Sequence, residues 1–336
     1  MPAPKTEITE VVTGLALFGG SDARTALADP PSAFTDVPSE TWTRLAALES
    51  EGRYREEFEA AWANGRAFLR ADDGLRGRPP LLVEWKGGHR APGDEVVPAD
   101  LRVDHVYLVS CKYLSKILIN ASPAHLFERS LAGGHGIRGD DWYPVVAGEP
   151  YQALYAGVRR ELPGDAGLPP FVADLTSDHR ALLRDHLAGM RWSGATEALY
   201  RSFASEVARA SAAEWKRSLL TKRQQEAMLW RLLRIGAAPY FVLGSSGDRS
   251  LRLRIATPWD WRRHYDLRRF DAWGDEAGQP VVRWRADARD RTTGELHTVE
   301  GHVEVRWSHG RFAQPPEAKV YLDTPHHRVP GYFPLA

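Results

Sequence analysis

Two aspartates and a lysine surround one predicted β-strand in the first half of the chain. Asp100 and Asp104 precede an apolar run at residues 106–109, and Lys112 follows that run after Ser110. β-Branched and aromatic residues favour a buried strand, and a lysine at its end needs a carboxylate, a phosphate or water as its partner. Carboxylate oxygens bind Mg²⁺ or Mn²⁺, and a nearby ammonium offsets negative charge on a phosphoryl group. The spacing therefore predicts a metal site suited to phosphodiester chemistry.

The same spacing resembles the motif of the PD-(D/E)XK nuclease superfamily. In that motif an aspartate is followed, after a variable gap through a β-turn, by an acid-x-lysine on the next strand. Pro98 stands two positions before Asp100, and Ser110-Cys111-Lys112 occupies the acid-x-lysine place. The resemblance covers about residues 50–131. It implies an α/β fold with a restriction-endonuclease-like core, a mixed sheet flanked by helices, and an Mg²⁺-dependent endonuclease that cleaves DNA in restriction or phage defence.

One position departs from that pattern. Ser110 stands where the family has an acid, and this removes a metal ligand. Some restriction endonucleases of the superfamily carry a serine there and recover the carboxylate from the following helix. Glu128, on a helix predicted to begin at Ser122, occupies the matching place.

The resemblance implies a role for each of these residues. Asp100 or Asp104 and Glu128 would ligate the metal, and Lys112 would orient the water or stabilise charge. The choice between the two aspartates stays open. The implied auxiliary acids are Glu84 and Glu57.

Each of these residues also has a structural explanation. Asp100 and Asp104 fit turn positions or ion pairs, as aspartates often do. Lys112 could lie at a strand end with its ammonium in solvent, and Glu128 could lie on a solvated helix face. If Ser110 prevents metal binding, the alternative function is a nucleic-acid-binding protein with an inactive nuclease fold. A structural or partner-binding protein without nucleic acid is the third interpretation.

Two other stretches have the acid-x-lysine form. Glu84-Trp85-Lys86 lies on a predicted strand, but only the loop residues Asp72 and Asp73 precede it as acids. Glu317-Ala318-Lys319 is predicted to be a hairpin strand. Cys111 is predicted to be a buried strand residue, since no His-and-Asn arrangement surrounds it.

Composition and charge place the chain among ordinary globular proteins. Apolar residues make up 43% and charged residues 26% of its 336 residues. Neither a membrane span nor a signal peptide is predicted, so we expect a cytoplasmic protein without a membrane partner. The single cysteine excludes an intrachain disulfide. Residues 1–64 carry 5 Lys/Arg against 11 Asp/Glu, a balance of −6, whereas residues 193–269 carry 15 against 7, a balance of +8.

Periodicity predicts three consecutive domains. Residues 1–145 would hold N-terminal helices and the nuclease-like α/β core, with strands near residues 81–86 and 103–112. Residues 146–236 would form a helical connector with helices at 149–162, 177–189 and 196–235. Residues 237–336 would form a C-terminal antiparallel β domain. A homodimer stays an open alternative to a monomer.

A cluster of basic and aromatic residues in the last third predicts a DNA-binding surface. Arginine forks match phosphate geometry, and aromatic faces stack on bases. The alternative is that the arginines form the solvent face of an amphipathic strand and the tryptophans belong to the core. The predicted contact residues are Lys222, Arg223, Arg252, Arg254, Trp261, Arg262 and Arg263.

Overall fold

The computed structural model describes residues 4–87, 99–113, 117–127, 141–162, 167–246, 249–275 and 278–336. The chain divides into two compact units. Unit 1 comprises Met1–Lys116, Arg234–Tyr265 and His326–Ala336, and unit 2 comprises Ile117–Leu233 and Asp266–Pro325. Both units are therefore discontinuous in sequence.

Helices occupy the following stretches: α1 (Pro4–Glu7), a π-helical segment (Ile8–Val12), α2 (Thr13–Ala16), α3 (Ala23–Ala28), α4 (Ser39–Ser50), α5 (Arg55–Arg70), α6 (Pro123–Phe127), α7 (Trp142–Glu161), α8 (Ser177–Leu187), α9 (Gly194–Ser218), α10 (Lys222–Leu232) and α11 (Pro258–His264). Short 3₁₀ turns lie at Val172–Asp174 and His326–Arg328. Within the part of the chain described here, no helix has the length and apolar character needed to cross a membrane.

Strands occupy β1 (Phe34–Thr35), β2 (Val83–Trp85), β3 (Leu101–Val103), β4 (Tyr107–Tyr113), β5 (Ile117–Ala121), β6 (Tyr240–Ser246), β7 (Arg249–Ile255), β8 (Tyr265–Asp275), β9 (Val281–Asp290), β10 (Leu296–Arg306), β11 (Glu317–Leu322) and β12 (Tyr332–Pro334).

Unit 1 is built on a mixed sheet of seven strands in the order β1-β2-β3-β4-β6-β7-β12. The β1–β2 and β4–β6 pairs are parallel, and the remaining neighbours are antiparallel. One face of this sheet carries Leu101, Val109, Cys111 and Leu243, which are buried in a single apolar cluster with the N-terminal helices and α5.

The helices over that face are buried for reasons visible in the sequence. Ile8, Val11, Val12 and Leu15 recur at helical spacing and form one apolar face of the first helix, and all four are at most 1% exposed. Thr9, Glu10 and Thr13 on its other sides are also buried, so the helix is covered all round. The predicted N-terminal helices are confirmed, and the first of them is continuous from residue 4 to residue 16.

Unit 2 contains a five-stranded antiparallel sheet in the order β5-β11-β10-β9-β8. The helices predicted at residues 149–162, 177–189 and 196–235 are confirmed as α7, α8 and the α9–α10 pair. Thr176 and Thr221 cap α8 and α10 through their side chains. Pro150 lies inside α7, and the backbone is non-helical at Ala147, because a proline clashes with the carbonyl four residues before it.

The two units correct the predicted division at residues 145 and 236. The predicted C-terminal β domain is split, since β6, β7 and β12 belong to the sheet of unit 1 whereas β8 to β11 belong to unit 2. The hairpin assignment of Glu317-Ala318-Lys319 is confirmed, because β11 pairs antiparallel with β10.

Candidate functional site

The β3–β4 hairpin brings Asp100 beside Ser110 and Cys111. The Asp100 backbone N–H donates to the Val109 carbonyl at 2.8 Å. Its carboxylate Oδ2 accepts the Cys111 N–H at 2.7 Å and the Ser110 hydroxyl at 3.3 Å. Asp100 is only 4% exposed, so its orientation is fixed by these contacts. The structure therefore joins the motif aspartate to the strand that carries Lys112.

Strand alternation separates the side chains of this region between two faces. Ser110 and Lys112 share one face of β4, and Cys111 lies on the other. Ser110 is fully buried, whereas Lys112 is half-buried at the end of the strand. The Asp100 carboxylate reaches the β4 backbone just before β3 begins, where it is close to both faces.

Glu10 is a buried acid that the sequence interpretation missed. It belongs to the π-helical segment, is 6% exposed, and accepts the Trp85 indole N–H at 2.7 Å. Gly87 lies against the same carboxylate, because a Cβ there would come within 1.9 Å of Glu10 Oε2. The available signal was a carboxylate within residues 8–17, where apolar residues predominate, since such a group is costly to bury without a partner.

Cys111 links these charged groups. Burial raises the pKa of the Cys111 thiol well above its ordinary value, and the Asp100 and Glu10 carboxylates raise it further, whereas the Lys112 ammonium lowers it. All three charges therefore act around one buried strand residue. Cys111 is buried on β4, so the prediction of a buried strand residue is confirmed.

Asp104 does not belong to this cluster. It has a φ of 49° in the turn of the hairpin, accepts the N–H groups of Leu81 and Leu82 at 2.7 and 3.1 Å, and pairs with Arg78 at 2.9 Å. β4 begins at Tyr107, next to the turn, and Lys112 lies five residues further along the strand. At about 3.3 Å per strand residue, Lys112 is roughly 16 Å from that end of β4. The turn role of Asp104 is therefore confirmed, and its predicted role as a metal ligand stays a prediction that its distance from Lys112 does not support.

Glu84 is held in an ion-pair network on β2. It faces Arg102 across the β2–β3 pair, with both guanidinium contacts at 2.5 Å, and Lys86 Nζ lies 2.9 Å from its Oε1. These cations hold the pKa of Glu84 at about 2, chiefly through the Arg102 hydrogen bonds. The Glu84-Trp85-Lys86 stretch is thus internally neutralised.

The remaining predicted acids have different outcomes. Glu57 lies in the first turn of α5 and pairs with Lys5 at 2.6 Å. Glu128 lies outside the described residues. Among the residues that are described, no group of three His, Cys, Asp or Glu side chains is placed to hold a metal ion. The described side chains therefore do not provide a complete Mg²⁺ or Mn²⁺ shell by themselves.

The predicted basic surface divides between the two units. Lys222 and Arg223 begin α10 in unit 2, where Lys222 contacts Asp266 at 2.5 Å. The arginines at 252, 254, 262 and 263 and Trp261 lie in unit 1. The sequence interpretation therefore combined segments from separate folded units.

Within unit 1, several of these residues support the fold. Trp261 is fully buried and donates its indole N–H to the Pro330 carbonyl at 3.1 Å, which contradicts its predicted role as a base-stacking contact. Arg252 donates to Asn64 at 3.0 Å, and Arg254 lies over the Phe333 ring at 4.9 Å. Arg262 and Arg263 on α11 are exposed, with Arg263 stacked on an exposed Trp259 at 4.8 Å.

Comparison with protein-family models, with curated proteins and with solved structures found no match to this chain.

Proposed function

We propose that the chain hydrolyses nucleic-acid phosphodiester bonds, with DNA as the substrate, through a restriction-endonuclease-like centre at Asp100 and Lys112. One observation carries the proposal: the Asp100 carboxylate accepts hydrogen bonds from the Ser110 hydroxyl and the Cys111 N–H. These two residues directly precede Lys112 on β4. An aspartate, a β-turn and a lysine on the next strand are parts of the PD-(D/E)XK motif, and Ser110 stands at its acid position. The mixed sheet of unit 1 supports the same proposal.

The residues support a division of roles in the reaction. Water adds to phosphorus, one P–O ester bond breaks, and the departing oxygen takes up a proton. The Lys112 ammonium, half-buried at the strand end, offsets the negative charge that accumulates on the phosphoryl oxygens. Asp100 is preorganised by two hydrogen bonds to accept a cation or a proton at a fixed position.

A divalent cation is part of the proposed activity. Asp100 is the acid nearest the motif position, and Glu10 is a second buried carboxylate on the Cys111 side of β4. When bound, such a cation would polarise a phosphate oxygen. Glu10→Gln tests this role cleanly, because the amide oxygen still accepts the Trp85 indole N–H while the charge is removed.

Plasmid cleavage with Mg²⁺ or Mn²⁺ tests the proposal. Lys112→Ala and Asp100→Asn should each reduce the cleavage rate by about 10²–10³-fold, because each removes a preorganised charge from the centre. Lys86→Ala is the matched control, since Lys86 also ends an acid-x-lysine stretch on a neighbouring strand but is paired with Glu84 and Asp36. Circular dichroism and urea unfolding verify the fold of each variant. Equal loss of cleavage in Lys86→Ala would contradict the assignment of the centre.

Nucleic-acid binding without hydrolysis is the second candidate. The observation that favours it is Ser110, which is fully buried at the acid position and donates to Asp100 instead of supplying a carboxylate. A wild-type protein that binds DNA but is inert with either metal would support this candidate. Ser110→Asp then provides the decisive comparison, since a gain of metal-dependent cleavage in that variant would identify the missing acid as the cause.

A further inference from the structure

A cleft in unit 2 lies between helix α8 and the loop that joins β10 to β11. Two adjoining cavities, with volumes of about 770 and 610 Å³, share Arg184 and His309 in their linings. The cleft is therefore one continuous open groove along α8 and the residues that follow it. We refer to it as the α8 groove.

The side chains that line the α8 groove are mainly cationic. Its lining includes Arg180, Arg184, Arg191 and Arg311, and none of the residues that line either cavity is an Asp or Glu. By contrast, the cavity against α3 and α5 in unit 1 is lined by both acids and arginines. Carboxylates also contact the lining of the α8 groove, since Asp185 pairs with Arg184 at 2.8 Å and Glu317 lies 3.6 Å from His309, but the four arginines outnumber these two. A groove with an excess of cations attracts polyanions, because low-dielectric walls focus the field of those cations.

The groove is held in shape by contacts between its two walls. Arg180 Nη1 donates to the Phe312 carbonyl at 2.8 Å, and Arg311 Nη1 donates to the Met190 carbonyl at 3.1 Å. The Arg311 guanidinium also lies 4.0 Å from the centre of the Trp192 ring. Stacking on an aromatic ring fixes a guanidinium plane while leaving N–H groups at its edges. Arg180 and Arg311 are therefore preorganised.

Arg184, which lines both cavities, and Arg191, which lines the second, can accept a ligand. Arg184 pairs with Asp185 at 2.8 Å, but both side chains are more than half exposed. Exposed pairs of this kind contribute little, so a phosphate can replace the carboxylate at small cost. Arg191 is exposed and forms no ion pair with the residues that the structure describes.

We infer that the α8 groove binds the phosphate backbone of nucleic acid, with Arg184 and Arg191 as the main phosphate contacts. The inference rests on the proposed function for the identity of the polyanion. An open groove with cations spaced along it fits a linear chain of phosphates better than a single small anion. Because arginine contacts to phosphates carry no sequence information, this binding should be independent of base sequence.

Fluorescence anisotropy of a labelled duplex DNA, measured in EDTA so that no cleavage occurs, tests the inference. Arg184→Ala and Arg191→Ala should each weaken binding by about threefold to tenfold and lower the salt slope of log K by about 1, since each removes one phosphate contact. The matched controls are Arg201→Ala and Arg209→Ala on α9, which remove equal charge from side chains that are 71% exposed in the same unit. These controls should leave the salt slope unchanged.

The outcomes separate this inference from the proposed hydrolysis. Groove variants that match the controls in affinity and slope would overturn the groove assignment, and so would a wild-type protein that does not bind DNA. A protein that binds through the groove but never cleaves DNA would preserve the groove and refute the hydrolytic proposal. Arg184→Lys should retain most of the affinity, which confirms that charge and not local packing is responsible.

Discussion

The Glu84 ion-pair network gives a stability prediction whose size follows from its geometry. The Glu84 side chain is 10% exposed and contacts Arg102 at 2.5 Å and Lys86 at 2.9 Å. A carboxyl pKa that falls from 4.5 to about 2 corresponds to a stabilisation of at most roughly 3 kcal/mol. Arg102 is 39% exposed, so solvent screens part of the attraction. We therefore expect Glu84→Gln to lower the free energy of unfolding by about 1–2 kcal/mol near neutral pH.

The sign of the pH dependence is fixed by the lowered pKa. The stabilisation is fully present above the unfolded-state pKa of about 4.5, and it is lost as the pH falls through the folded-state value of about 2. Urea unfolding of the wild type and of Glu84→Gln, followed from about pH 7 to about pH 3, should give a difference that shrinks with acidity. Glu51→Gln is the control, because its pair with Arg53 is longer, at 3.7 Å, and more exposed.

Two results would refute this reasoning. One is a Glu84→Gln variant as stable as the wild type near neutral pH. The other is a stability difference that stays constant on acidification, since an effect of packing alone carries no pH dependence. Arg102→Gln completes a double-mutant cycle that isolates the pair from other contacts of either residue.

Two further predictions concern the strand that carries Lys112. Cys111 should resist alkylation by iodoacetamide in the folded protein at mildly alkaline pH and react on urea unfolding, because burial raises its pKa; mass spectrometry of the adduct checks this, and rapid labelling of native protein would contradict it. Gly244→Ala should destabilise the protein by at least about 1–3 kcal/mol in urea unfolding and reduce any cleavage, because the new Cβ would come within 1.9 Å of the Lys112 carbonyl oxygen. Gly148→Ala is its control, since a Cβ there meets nothing within 4 Å, and equal destabilisation of the two variants would count against the strand-spacing argument.

Local patterns predicted those parts of the fold that depend on neighbouring residues. The helices of unit 2 follow from helical periodicity, and β4 follows from a run of β-branched and aromatic residues. The turn role of Asp104 was also available from its residue type. These features are fixed within a few residues of chain, so no tertiary information is needed.

The candidate site could be predicted only in part, for reasons of distance along the chain. Asp100 and Ser110 are ten residues apart across a hairpin, so their contact is nearly local. Glu10 comes from a helix whose approach to Trp85 spans 75 residues, and sequence spacing gives no measure of such a contact. Trp261 was misassigned because an aromatic residue between arginines has the same local pattern in a core as on a binding surface.

The parallel pairing of β4 with β6 has a consequence for synthesis on the ribosome. β4 has β3 on one side, but its other neighbour, β6, begins only at Tyr240, after the first segment of unit 2. At about 5–20 residues per second, the nascent chain carries an unpaired β4 edge for roughly ten seconds. An unpaired edge is a template for strand addition by another chain. We therefore expect chaperone occupancy during translation to be greatest in this interval and to fall once β6 has emerged.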